Sequence, residues 1–340
     1  MIYLDHAAKT PPLPCAVEAF LAAPFGNPSS EHAVGQEARD ALELSREKIA
    51  MLMDCGSQWI TFTSTATEAA ALALHSLAEA RYNVRLSEVE HHAITENFHE
   101  VQYGGVAVAK MLAQNETGEI FPPPDNEHGT YWLCDATAAV GHIPVSFRDL
   151  GCDYLIADAI KFGGVPGAAF LISKKDAPLY PLIRGGGQER GMRSGTENVP
   201  AICAMAAALQ WQSEHIKETS EMVGALRDML MQKLSEIKNH RWNTPFHRPR
   251  LPHILNISFD GVDAKALALL LSKDGVMVSP GAACSNGLDE PSHIIMAMFN
   301  DEARARSAIR ISLSHENTID ECAEASEKIK DAVEYLRGLS

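Results

Sequence analysis

The sequence predicts an α/β protein, with a large domain on a mostly parallel sheet followed by a smaller α+β domain. Three observations carry this. Short apolar runs recur between residues 59 and 172, alternating with helices or loops. The first run breaks into a small-residue turn that opens an alanine-rich helix. After a polar stretch at residues 238–250, strands and helices resume in a different order. Composition sets matching bounds. The 340 residues are enough for about two domains and a large core. With 46% apolar and 21% charged residues, the chain is of ordinary globular composition. A net charge of −15 argues against a general binder of nucleic acid or anionic membranes. The seven cysteines are scattered and contain no C-x-x-C pair, which speaks against a disulfide framework or a four-cysteine metal site and fits a reducing compartment. The start lacks a basic segment leading into an apolar one, and no apolar run approaches about 18 residues. A cytoplasmic protein is expected.

In chain order, residues 1–14 read as a short strand and a proline-rich turn, and 26–30 as turn chemistry. A helix is predicted over 35–53, with Ala38, Leu42, Ile49 and Leu52 on one face. A strand at 59–62 leads through Thr63-Ser64-Thr65-Ala66-Thr67 into a helix over 68–80. Further strands are predicted at 84–86, 106–112, 131–135, 154–157 and 168–172, and a loop with three successive glycines at 180–200. Two helices, 198–215 and 219–237, close this half, so the boundary falls near 205–240. The second half reads as a strand at 254–259, a helix at 264–271, a short strand at 276–278, a loop to 288, a strand at 309–313 and a helix at 318–336.

Several residues in this frame carry chemistry. Lys161 follows the apolar run Tyr154-Leu155-Ile156-Ala157 and precedes a flexible glycine pair. A lysine there either reaches into water or is used, and a desolvated neutral amine can form a Schiff base with a carbonyl cofactor such as pyridoxal phosphate (PLP). Asp135 ends a predicted strand, where open α/β sheets bind ligands; it could protonate a pyridine nitrogen or simply cap the next turn. The turn at Thr65-Ala66-Thr67 offers free N–H groups and the positive end of a helix to a phosphate, or is capped by its own threonines. His91 and His92 could stack on a ring or move protons, or could be solvated. Asn115 alone reads as a turn residue. Cys284 lies in a run of small residues, Gly281 to Gly287, and could be a nucleophile or a surface cysteine without a role.

Together these residues resemble the cysteine desulfurases of the NifS/IscS type. Asp135, Lys161, the run from Arg184 to Asn198, Ala283-Cys284-Ser285, Tyr3-Leu4-Asp5-His6-Ala7-Ala8 and Gly26-Asn27-Pro28-Ser29-Ser30-Glu31-His32 carry the resemblance, which extends from residue 3 to about residue 325. It implies a PLP-dependent homodimer of fold type I, with residues 13–215 as the large domain and 1–12 plus 216–340 as the small one. It also implies a role for each residue. Lys161 would bind PLP and move the substrate α-proton; His91 would stack on the ring and assist. Asp135 would pair with the ring nitrogen, and Asn115 would approach the ring hydroxyl and substrate. Thr65, Ala66 and Thr67 would bind phosphate, with Thr196 reaching in from the other subunit. Arg310 would clamp the carboxylate of L-cysteine. Cys284 would take the sulfur as a persulfide, release alanine and pass sulfur to an acceptor such as an iron–sulfur scaffold.

The departures from the family pattern cluster at the cofactor. Asp158 and Ile160 stand where the family has a serine and a histidine, Ala138 replaces a glutamine, and Thr65 replaces a glycine. A carboxylate about 4 Å from a phosphate repels it by roughly 4 kcal/mol at an effective dielectric near 20. Asp158 is therefore expected to weaken PLP binding unless it turns away, is protonated or meets a cation. The segment between His91 and Asn115 is shorter than in the family, predicting the loss of at least one helix. Two other readings stand beside the desulfurase: a related PLP enzyme acting on selenocysteine or another amino acid, and a weakly active subunit that binds a partner.

Overall fold

A computed structural model of the chain describes residues 1–101, 104–125, 129–281 and 290–339. It contains two compact units: residues 10–112 with 122–215, and residues 1–9 with 113–121 and 216–340.

The chain opens with β1 (Ile2–Tyr3), which belongs to the smaller unit. The larger unit begins with α1 (Pro14–Ala22), a helix started by proline at its first position, and α2 (Ala33–Leu52). Next come β2 (Ile60–Thr63), α3 (Ala66–Glu79), β3 (Tyr82–Leu86), the one-turn α4 (His92–Thr95) and β4 (Gly105–Ala109). After β5 (Tyr131–Asp135) come α5 (Phe147–Leu150), β6 (Tyr154–Asp158) and β7 (Ala169–Ser173). The strand order is β2-β7-β6-β5-β4-β3. Strands β3 to β6 run parallel, whereas β7 runs antiparallel to both β6 and β2. Every residue of β6 and β7 is buried, as expected of strands covered on both faces. Helix α3 packs Ala69, Leu72, Ala73, Leu74 and Leu77 into the same core as Leu133, Ile156 and Leu171.

The pattern predicts two helices around residue 217, but a single helix, α6 (Val199–Leu234), takes their place. No glycine or proline lies between His215 and Thr219 to break it. Its residues up to His215 belong to the larger unit and those from Ile216 to the smaller.

The smaller unit continues with β8 (His240–Trp242), inside the stretch read as merely polar, then β9 (Ile254–Phe259), α7 (Ala264–Lys273), β10 (Val276–Met277) and β11 (Ser279–Pro280). It closes with α8 (His293–Phe299), α9 (Glu302–Arg306), β12 (Ala308–Ser312) and α10 (Ile319–Leu339). An antiparallel sheet, β11-β12-β9-β8, packs Leu255, Ile257, Ile309 and Ile311 against Leu267, Leu271, Ile329 and Val333. Strand β1 pairs in parallel with β10. Residues 113–121 join this unit because Leu251 N donates to Gly118 O (2.8 Å) and Ile120 N to Pro249 O (2.9 Å). Among the described residues no helix is long and apolar enough to cross a membrane.

Candidate active site

Lys161 ends a 3-10 turn, Ala159–Lys161, that starts where β6 stops. Its backbone is fixed from several sides. Thr10 Oγ1 (3.1 Å) and His142 Nε2 (3.0 Å) both donate to its carbonyl, and Thr10 N donates to Ile160 O (2.9 Å). The following glycines, read as flexible, are tightly packed. Gly163 has φ +86°, and a Cβ there would lie 2.6 Å from Leu13 Cγ; one on Gly164 would lie 2.7 Å from Ala159 Cβ. The half-buried lysine side chain thus leaves a hydrogen-bonded, closely packed turn.

Asp158 does not turn away from the turn assigned to phosphate; it sits on it. Its Oδ2 accepts from Ala66 N, the first residue of α3, at 2.8 Å, and its Oδ1 accepts from Ile160 N at 3.2 Å. Burial raises its pKa. The Ala66 and Ile160 N–H groups and the Lys161 charge oppose that rise, and Asp135 adds to it. Thr65 caps α3, with Oγ1 accepting from Glu68 N at 3.2 Å; Thr65 and Thr67 are exposed and Ala66 is buried. Asp135, buried at the end of β5, accepts from Thr137 N at 2.9 Å through Oδ1, the capping role weighed above, and this occupies one carboxylate oxygen.

His91 precedes α4 and accepts from Ala93 N through Nδ1 (3.0 Å), which orients its ring. His92 lies beside it, ring centroids 6.3 Å apart. The preceding Glu90 had no assigned role, yet it is 1% exposed and accepts from Met111 N at 2.8 Å. Burial pushes its pKa up to about 8. The Met111 N–H pulls the other way, Asp135 raises it further and Lys110 lowers it. A carboxyl with a raised folded-state pKa contributes stability that is complete below its unfolded value, about 4.5, and is lost as pH rises through about 8. Glu90→Gln, which keeps the acceptor for Met111, is expected to flatten the fall in urea-unfolding free energy between about pH 4.5 and 8 by a few kcal/mol. An identical slope in both proteins would remove Glu90 from this role.

In the smaller unit, Arg310 on β12 is 4% exposed. Its Nη2 meets Asp5 Oδ1 at 2.9 Å and its Nη1 donates to Asn115 O at 3.1 Å; its Nε is buried without a partner among the described residues. The Asn115 side chain accepts from Gln114 Nε2 at 3.3 Å. Next to Asn115, the buried Glu116 accepts from Ser292 Oγ at 2.7 Å. Burial raises its pKa to about 7 against the Ser292 bond and the Arg310 charge. Cys284 lies outside the described residues. Thr196, in the larger unit, is exposed.

The run from Arg184 to Asn198 proves to be anchored by charge. Arg193 Nε donates to Glu68 Oε1 (2.6 Å), and Glu68 also accepts from Ser64 N (2.9 Å). Glu189 is paired with Arg46 (2.7 Å). A sequence signal existed for Glu68: Thr65-Ala66-Thr67-Glu68 has capping-box spacing. None existed for Arg46. Among the described residues, no cluster of His, Cys, Asp and Glu could hold a metal ion.

The model of the aminotransferase class V family matches residues 2–122 and 105–324. A cysteine desulfurase of Enterobacter agglomerans is 35% identical over 378 residues, covering 100% of this chain and 94% of its own. A putative cysteine desulfurase, IscS 1, of Bacillus subtilis (strain 168) is 33% identical, with 98% and 99% covered. A solved NifS-like protein is 31% identical and superposes with a TM-score of 0.89 over 98% of this chain and 99% of its own. The fold is therefore that of the fold type I PLP-dependent transferases, and the chain belongs to the aminotransferase class V family.

Proposed function

We propose that this protein is a PLP-dependent cysteine desulfurase that converts L-cysteine to L-alanine and holds the sulfur as a persulfide on Cys284. The observation that carries this reading is the placement of Asp135 at the carboxyl end of β5 and of Lys161 just past that of the adjacent parallel strand β6. Whole-length similarity to proteins named cysteine desulfurases supports the choice of substrate.

The residues fit the cofactor. The carboxylate already seated on α3 is a stand-in anion at the turn assigned to phosphate. Lys161 supplies the amine a carbonyl needs, and Asp135 supplies a carboxylate for a protonated ring nitrogen. When bound, PLP supplies an electron sink for charge developing at the substrate Cα. Lys161 Nζ would attach the cofactor and move the proton at the substrate Cα, from a turn whose backbone Thr10 and His142 bond. Asp135 would hold the proton on the ring nitrogen. His91, which accepts from the Ala93 N–H, would lie against the ring and assist proton transfer. Thr65, Ala66 and Thr67 would hold the phosphate, with Thr196 of a second copy in a homodimer. Asn115 would orient the ring hydroxyl and substrate, and Arg310, paired with Asp5, would take the substrate carboxylate. The Cys284 thiolate attacks the sulfur of bound cysteine; an S–S bond forms as the C–S bond breaks, and alanine leaves after protonation at Cβ. An acceptor protein, such as an iron–sulfur scaffold, then takes the sulfur.

Purified protein with PLP, L-cysteine and a thiol reductant is expected to release alanine and sulfide in equal amounts. Cys284→Ala is expected to keep the visible absorption of the bound cofactor while sulfide release drops by about a hundredfold or more. Undiminished sulfide release by this variant would rule out Cys284 as the sulfur acceptor.

A further inference from the structure

Resting on the cofactor reading above, we infer that Asp158 is a built-in rival for the phosphate of the cofactor: its carboxylate holds the leading N–H of α3 and so lowers the affinity of the chain for phosphate-bearing ligands.

Three observations carry this. The carboxylate is buried, 6% exposed, and bonded through both oxygens, to Ala66 N at 2.8 Å and to Ile160 N at 3.2 Å. It ties the first residue of α3 to the turn that carries Lys161, so it is a structural cap and not a loose surface charge. The neighbouring donors are also taken. Glu68 N donates to Thr65 Oγ1, and Ser64 N donates to Glu68 Oε2. At this helix start, Thr67 N–H has no hydrogen-bond partner among the described residues. A phosphate arriving there has two options. It displaces Asp158, which breaks both bonds and leaves a buried carboxylate to be rehoused, or it lies beside Asp158 and meets like charge. Each option weakens binding of the phosphate, whereas pyridoxal, which carries no phosphate, meets neither penalty. A positive charge that acts on Asp158 is Lys161, the amine that the cofactor itself requires.

The test is a set of binding titrations with wild type, Asp158→Asn and Asp158→Ser, using PLP, pyridoxal and inorganic phosphate as probes. Aldehyde binding is followed by absorbance and phosphate binding by calorimetry. Asparagine removes the charge and keeps an oxygen for Ala66 N–H, at the cost of the Ile160 N–H bond, which its amide nitrogen cannot accept; serine also vacates the place. Both variants are expected to bind PLP and inorganic phosphate about tenfold tighter or more, with pyridoxal within about twofold of wild type. Circular dichroism checks that each variant folds, and the asparagine protein alone suffices if the serine one does not. Phosphate-bearing probes bound equally or more weakly by the variants would overturn the inference while leaving the cofactor reading intact. No aldehyde bound by any of the three proteins would overturn the cofactor reading, and calorimetry with inorganic phosphate would still decide on Asp158.

Discussion

Lys161→Ala is expected to abolish the visible absorption that wild type shows with PLP and to lower alanine formation by about three orders of magnitude. A positioned base alone contributes roughly 10²–10⁴-fold, and here the same nitrogen is also the attachment point. The substitution isolates chemistry from folding unusually well. The hydrogen bonds that fix this turn, from Thr10 and His142, end on the backbone carbonyl of residue 161 and survive the loss of the side chain. Thermal unfolding of the variant should therefore stay close to that of wild-type protein without cofactor. An unchanged absorption spectrum would remove Lys161 from the proposal.

The second large effect concerns stability. Arg46 and Glu189 form a bidentate pair, Nη2–Oε1 at 2.7 Å and Nη1–Oε2 at 2.8 Å, with side chains 2% and 1% exposed. Arg46 also donates to Ile60 O (3.0 Å) and lies 4.5 Å from the centre of the Phe62 ring, while Glu189 accepts from Phe62 N (2.8 Å). Breaking a buried pair leaves an uncompensated charge, so Glu189→Ala is expected to cost about 3–5 kcal/mol in urea unfolding. The partly exposed pair of Arg148 and Asp54 (2.9 Å) should cost about 1 kcal/mol or less when cut. Glu189 and Arg190 both have positive φ, 50° and 57°, which is unfavourable for residues with a Cβ, and the ion pair holds that bend. A loss for Glu189→Ala no larger than that for Arg148→Ala would show that Glu43, 3.1 Å from Arg46, satisfies the arginine alone.

The legible parts were those with local signals. Strands β5, β6 and β7 are short apolar runs, and a run buried on both faces needs no partner information to be recognised. Asp135, Lys161 and the Thr65–Thr67 turn were placed because element ends are marked by the residues that end them. The rest depended on distance in sequence. Asp158 was recognised as a conflict, but not as the cap of a helix 92 residues earlier. Nothing near Glu119 or Arg250 indicates that they would bridge, so residues 113–121 could not be assigned to the smaller unit from the sequence. Glu90 carries no local signal of burial in the sequence; its surroundings include Met111 and Asp135, which are distant in the chain. The continuity of α6 was missed for a different reason, since the absence of a breaker is a weaker cue than its presence.

The position of Asp158 also bears on how the chain matures. A helix start built to receive an anion is destabilised by its own dipole and bare N–H groups until the anion arrives. Here the anion is covalently part of the chain, on the strand that packs beside it, and is delivered as soon as β6 and α3 meet. The start of α3 is therefore stabilised from within the chain, without waiting for a bound anion.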